Sequence, residues 1–231
     1  MARLPRLSVP GYAHLILLRG HNGESVFRDD GDRQAFLEAL ESALNRDEIA
    51  LHAYALQQDR VWLLCTPHQV GHLSRAMQSL GRRFSAAFNR KHDRSGSLWD
   101  GRYRSTVVEP GATLLGAMVF VDLALTDPTV VDSTDDVSST PWSSARQHLG
   151  FEGLAPLSDI AEYWALGNTP FDRASAYRAR LNESIPRDAR ERMVAAVLKA
   201  WPLGSRRFVE ELQKETDRPL TARQRGRPRK G

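Results

Sequence analysis

The segment from Leu56 to Ser105 constrains this chain more than any other. It opens on an apolar run, Val61 to Thr66, which reads as a buried strand. Leu73, Met77, Leu80, Phe84 and Phe88 then recur at steps of three and four, which places them on one face of a helix over about residues 70–90. A polar turn around Asp93 to Ser97 follows, and Arg102 to Glu109 reads as a further strand with Val107 and Val108 as its apolar part. A helix with a single apolar stripe between two strands needs a sheet to cover that stripe.

The residues before this segment supply the rest of the sheet. Ala13 to Arg19 is a short, mostly apolar run that fits a buried strand. Asp30-Gly31-Asp32 opens a helix whose apolar side chains are Phe36, Leu37, Leu40 and Leu44. Ile49 to Leu56 alternates well enough for a strand that pairs with Val61 to Thr66 across the Gln57–Arg60 turn. The order β-α-β-β-α-β predicts an α+β fold of the ferredoxin-like, split βαβ type: an antiparallel sheet with helices on one face and the other face open. Thr113 to Leu125 predicts another helix, and Trp142 is expected to anchor a last one in the core. From Gly150 on, short helical segments follow at Leu157–Leu166, Asp172–Glu183, Asp188–Trp201 and Ser205–Glu215, with caps at Thr169-Pro170-Phe171-Asp172 and Gly204-Ser205. The expected division is 1–149 for the sheet unit, 150–218 for a small helical region, and 219–231 for a disordered basic tail.

Charge is concentrated rather than spread. The net charge is +4, yet Arg75 to Arg104 carries eight basic side chains against Asp93 and Asp100, and Arg218 to Gly231 carries six and no acid. The remainder is therefore acidic, a pattern that argues for a polyanionic partner. Trp99 and Tyr103 lie within the first basic stretch, which gives it the composition of a nucleic-acid surface. Cys65 is the single cysteine, so intrachain disulfides and thiolate metal clusters are excluded, and a buried apolar role is expected for it. Apolar runs are far shorter than the ~20 residues of a spanning helix. Residues 3–10 are too short and too proline-rich for a signal peptide, so a cytoplasmic protein without membrane contact is expected.

The run Leu80-Gly81-Arg82-Arg83-Phe84 through Phe88-Asn89, and the turn Arg94-Ser95-Gly96-Ser97-Leu98-Trp99-Asp100-Gly101-Arg102-Tyr103, resemble the tyrosine transposases of insertion sequences, in particular their REP-associated subgroup. Trp142-Ser143-Ser144 and Leu203 to Val209 extend the resemblance over nearly the whole chain. It implies the same fold, single-stranded or hairpin DNA as the ligand, and a monomer or homodimer. It also implies a strand with two histidines at i and i+2 that hold Mg²⁺ or Mn²⁺, and a helical tyrosine, at the position of Phe84, that attacks a DNA phosphate. The strand here carries Arg60 and Trp62 instead, and the helix carries Phe84. The stretch that the family writes Y-[IV]-[ED]-L-N-P-V-R-A is Phe120-Val121-Asp122-Leu123-Ala124-Leu125-Thr126-Asp127.

Arginine does not deprotonate to become a ligand, indole offers no lone pair, and phenylalanine has no hydroxyl. No metal cofactor and no catalytic residues are therefore expected, and cleavage should be lost. His68 and His72 have a spacing that can bind metal at a helix start but are expected to be surface residues, and Tyr54 and Tyr103 sit on strands. The binding apparatus is expected to comprise Arg60, Arg82, Arg83, Asn89, Arg90, Arg94, Trp99, Arg102 and Arg104. Arg60 would stand in for the metal's charge beside a phosphate. In the tail, Arg225-Gly226-Arg227-Pro228 matches the core of an AT-hook, with arginines suited to a narrow A·T minor groove of duplex DNA. Two other readings stay open: an active transposase using non-standard residues, and a protein-interaction module with a vestigial groove.

Overall fold

The computed structural model describes residues 6–126, 137–183 and 185–221. Strand β1 (His14–Arg19), helix α1 (Asp30–Arg46), strands β2 (Ile49–Gln57) and β3 (Arg60–Pro67), helix α2 (His72–Lys91) and strand β4 (Arg104–Val107) come in the expected order. Helices α3 (Ala112–Asp122), α4 (Ala145–His148), α5 (Ala161–Trp164), α6 (Pro170–Asn182), α7 (Arg187–Lys199) and α8 (Arg206–Leu212) follow. The strands form one antiparallel sheet in the order β2-β3-β1-β4, with β1 central between β3 and β4. Its register puts Leu17 opposite both Trp62 and Arg104, and Arg19 opposite Arg60. A bulge between Leu51 and Ala53 frees His52, whose ring bonds to the Ser158 carbonyl (2.6 Å) and Thr66 Oγ1 (2.7 Å).

Because side chains alternate along a strand, the sheet divides two cores. Ile16, Leu18, Val61, Leu63 and Cys65 point to α1 and α2, where they meet Phe36, Leu40, Leu73, Leu80, Phe84 and Phe88. Leu15, Leu17, Trp62 and Leu64 point the other way. This second face is not open, contrary to expectation. It is covered by Leu114, Met118, Phe120 and Val121 of α3, with Tyr163, Tyr177, Met193 and Val197 from the later helices. The unbroken apolar run Leu15–Leu18 is what burial on both faces demands.

Under α3 lies a polar knot. The Asp122 carboxylate accepts from Ser144 Oγ, His148 Nδ1 (2.6 Å) and Tyr177 OH (2.7 Å), and all of these residues are buried. Ser144 Oγ also accepts from the Tyr54 amide at 2.9 Å, so the knot ties β2, α3, α4 and α6 together. The C-terminal part adds an edge to the sheet as well: Leu203 pairs in parallel with Val108, through amide–carbonyl bonds of 2.8 Å to Val107 and Glu109. Thr169 and Asp172 form a capping box on α6, and Ser205 caps α8. Leu220, expected in a disordered tail, instead packs with Leu7, Val107, Phe208 and Leu212. The Arg225–Pro228 motif lies outside the described residues.

Candidate nucleic-acid interface

The turn after α2 is built from its own polar residues. Asn89 Nδ2 donates to the Gly96 carbonyl (3.0 Å), and Arg94 donates to Asn89 Oδ1 (3.2 Å), the Ser97 carbonyl (3.0 Å) and Glu24 Oε2 (3.0 Å). Gly96 and Gly101 take positive φ values of 88° and 70°, a backbone conformation that favours glycine. The turn is fastened to the end of β1 by His21 N to Leu98 O (3.0 Å) and Asp100 N to Arg19 O (2.8 Å). Asn89 and Arg94, expected to contact DNA, are therefore spent on holding the loop. Trp99 is 9% exposed, and its ring packs against Phe84 (5.9 Å) and Phe36 (6.2 Å). It anchors the turn in the core, and an open stacking platform is excluded in this conformation.

The local excess of positive charge is partly cancelled by acids distant in sequence. Arg75 pairs with Asp47 at 2.9 Å, and Lys91 reaches Asp29 (2.6 Å) and Asp32 (2.8 Å). Hydrogen bonds to these carboxylates raise the Lys91 ammonium above its ordinary value, and the bond from Lys91 lowers Asp29. Burial pushes Asp32 up, but Lys91, the Arg28 amide and His92 together leave it lowered. Asp29, Asp32 and His92 bring ligand-type atoms within 4.8 Å of one another, but the Lys91 ammonium already supplies the cation there.

Arg82, Arg90 and Arg102 are exposed and, among the described residues, have no carboxylate partner. Arg83 donates to Ser42 Oγ at 2.7 Å and Arg104 to the Leu198 carbonyl at 3.2 Å, so neither charge is neutralised. Between α2 and the turn runs a groove of about 700 Å³. Leu18, Met77 and Trp99 give it apolar surface, and Arg82 and Arg102 give it charge. Tyr103 closes one side, its hydroxyl 3.2 Å from Ser74 Oγ and its ring 4.0 Å beneath the Arg6 guanidinium.

The three positions expected to mark the lost chemistry do not form one site. Phe84 is 2% exposed in the core beneath α1 and α2, whereas Trp62 lies on the opposite face of the sheet. What faces Trp62 is Phe120 of α3, edge-on at 4.9 Å between ring centroids. Phe120, which packs on Trp62 from α3, offers no hydroxyl. Arg60 is held by its neighbour through a two-pronged pair with Asp59 (2.9 and 2.6 Å), which raises the guanidinium and lowers the carboxyl. The expected use of Arg60 as a phosphate ligand would compete with this pair. Residues 60, 62 and 120 offer no metal-binding lone pair, so a divalent ion does not fit there.

The histidines are structural as well. His72, expected at the surface, is buried and its Nδ1 bonds to the Asp47 carbonyl, while His68 is exposed and precedes the helix. Tyr54 is fully buried, with its hydroxyl donating to the Pro141 carbonyl at 3.1 Å. Cys65 is buried, and desolvation pushes its thiol well up.

Residues 10–114 match the family model described as IS200-like transposase. The matched stretch, less than half of the chain, is similar to that family. The match ends at the third residue of α3, just short of Phe120. No curated protein matches the chain. Among solved structures, a REP-associated tyrosine transposase bound to a REP hairpin is 12% identical, with a TM-score of 0.50 over 70% of this chain and 96% of its own. At that identity the likeness speaks for the fold alone. A candidate transposase from Deinococcus radiodurans R1 is 20% identical over 48% of this chain and 88% of its own, with a TM-score of 0.35.

Proposed function

We propose that this chain is a DNA-holding member of the IS200-like transposases, one that binds single-stranded or hairpin DNA and does not cut it. The observation that carries the reading is the Trp62–Phe120 contact at 4.9 Å. Strand transfer needs a polarising ion, an attacking hydroxyl and a phosphate brought together. Here two apolar rings fill the space where α3 meets β3, and the neighbouring cation is tied to Asp59. The uncancelled guanidinium groups of Arg82, Arg90 and Arg102 support binding, because phosphate contacts need charge and no chemistry. The hairpin held by the structurally similar transposase supports that class of ligand. The tail residues Arg225, Gly226, Arg227 and Pro228 would add contacts to A·T-rich duplex.

The test is one assay on a labelled hairpin with and without Mn²⁺. A salt-sensitive complex, no nicked product and no covalent adduct on a denaturing gel are expected. A covalent adduct from the unaltered protein would refute the reading, and absence of any complex at low salt would favour a protein-interaction module instead.

A further inference from the structure

We propose that the groove between α2 and the turn at 97–103 receives one unpaired base of the bound strand, with the adjoining phosphate on Arg82 and Arg102. This rests on the DNA-binding reading and names the part of the strand that is recognised. At about 700 Å³ the groove lies within the ~300–1,000 Å³ of sites that take small molecules, which is more room than a phosphate alone requires. Its chemistry is divided as a nucleotide's is. Leu18, Met77 and the Trp99 edge offer apolar contact to a heterocycle, and Ser74, Gln78 and Ser85 offer hydrogen-bonding groups along one side of α2. Arg82 and Arg102 are exposed and unpaired among the described residues, so the charge beside this apolar surface has no internal counterion.

Two further observations point to a ligand. The indole N–H of Trp99 is buried and finds no acceptor among the described residues, a cost that folded proteins ordinarily avoid. Residue 81, directly beside it, is glycine: a Cβ built there would lie 3.8 Å from Trp99 Nε1, in ordinary contact. Gly81 is therefore not required by crowding, and in mid-helix it costs stability relative to alanine. Its effect is to leave the groove open over the indole edge. A base entering there brings ring acceptors toward this unpartnered indole N–H.

The experiment compares binding of a short single-stranded oligonucleotide with that of the same strand carrying one base-less nucleotide at successive positions. At one position, loss of the base should weaken binding about tenfold, the scale of a single base contact, with the salt dependence unchanged. Gly81→Leu, which fills the groove without altering charge, should weaken the intact strand by a similar factor and leave the weakest base-less strand unaffected. Gly81→Ala should fold with equal or higher thermal stability and bind nearly as well. If every base-less strand binds like the intact one while binding stays salt-dependent, the groove assignment fails and the DNA-binding reading survives. The base-less strands decide the matter even if Gly81→Leu does not fold. Absence of binding by any strand at low salt defeats both.

Discussion

His14 shows how a single buried residue sets the response to acid. Its ring is fully enclosed, accepting from the Val9 amide (3.2 Å) and donating to the Tyr12 carbonyl (2.8 Å). Burial lowers its pKa from 6.5 to about 4, so the native protein keeps it neutral where the unfolded chain takes a proton. Its stabilising effect is complete above pH 6.5 and is lost as pH falls toward 4, amounting to ~3 kcal/mol by linkage. His52, lowered chiefly by burial, adds to the upper part of the same window. The depressed carboxyls of Asp29, Asp32, Asp47 and Asp59 lose their contribution only below their ordinary value of 3.8. Urea midpoints should thus fall between pH 6.5 and 4, and His14→Gln, though less stable at neutral pH, should show a flatter fall. An unchanged slope in that variant would remove His14 from the account. Asp122 offers a second test at this scale. Asp122→Ala strands the donors on Ser144, His148 and Tyr177, at roughly 3 kcal/mol in sum, so the melting temperature should drop by about 10 °C. A drop of about 2 °C or less would mean that the knot is replaced by water.

At the scale of elements, the sequence is legible where a pattern is local and silent where it depends on a distant partner. The stripe Leu73-Met77-Leu80-Phe84-Phe88 locates α2, and the apolar run of β1 locates the sheet, because periodicity is written in neighbouring residues. That same unbroken run also signals a second covered face, which the βαββαβ order alone does not provide. The pairing of the cations of α2 and of the turn after it is hidden for the opposite reason. Asp47 stands 28 residues from Arg75, and Glu24 stands 70 from Arg94, so no window along the chain pairs them. The same blindness hides the role of Trp99, whose burial depends on Phe36 in α1. A prediction separates the two kinds of arginine. Arg82→Ala with Arg102→Ala should weaken binding of any single strand and flatten its log–log salt dependence by ~0.7 for each phosphate left without its cation, with melting unchanged. Arg94→Ala should instead lower the melting temperature, since it unpins the turn from Asn89, Ser97 and Glu24. Equal effects of the two sets on binding, without any change in melting, would contradict this division.

At the scale of the whole molecule, the C-terminal segment returns to the sheet before the basic tail begins, and this fixes where the two can be separated. Leu203 adds a parallel edge beside β4, and Phe208, Leu212 and Leu220 pack on Leu7 and Val107. Arg218 donates to the Ala200 carbonyl at 2.6 Å, and the Leu220 amide donates to Gln213 Oε1 at 2.9 Å. A cut after Asp217 removes the packing of Leu220 and these bonds together with the tail, so it should lower the melting temperature and confuse loss of structure with loss of charge. A cut after Thr221 removes Arg223, Arg225, Arg227, Arg229 and Lys230 and leaves the packing and the hydrogen bond of Leu220 in place. If the Arg225-Gly226-Arg227-Pro228 stretch acts as a minor-groove hook, this shorter protein should melt as the full chain does. It should lose affinity for A·T-rich duplex, flatten the salt dependence by ~0.9 for each phosphate no longer neutralised, and keep its affinity for hairpin DNA. The preference for A·T over G·C duplex should disappear with it, because arginine in a narrow groove reads shape, whereas removing a generic basic tail weakens binding to both duplexes alike. Unchanged binding of A·T-rich duplex would mean that the cations of the folded part suffice, and would deny the tail a role in DNA binding.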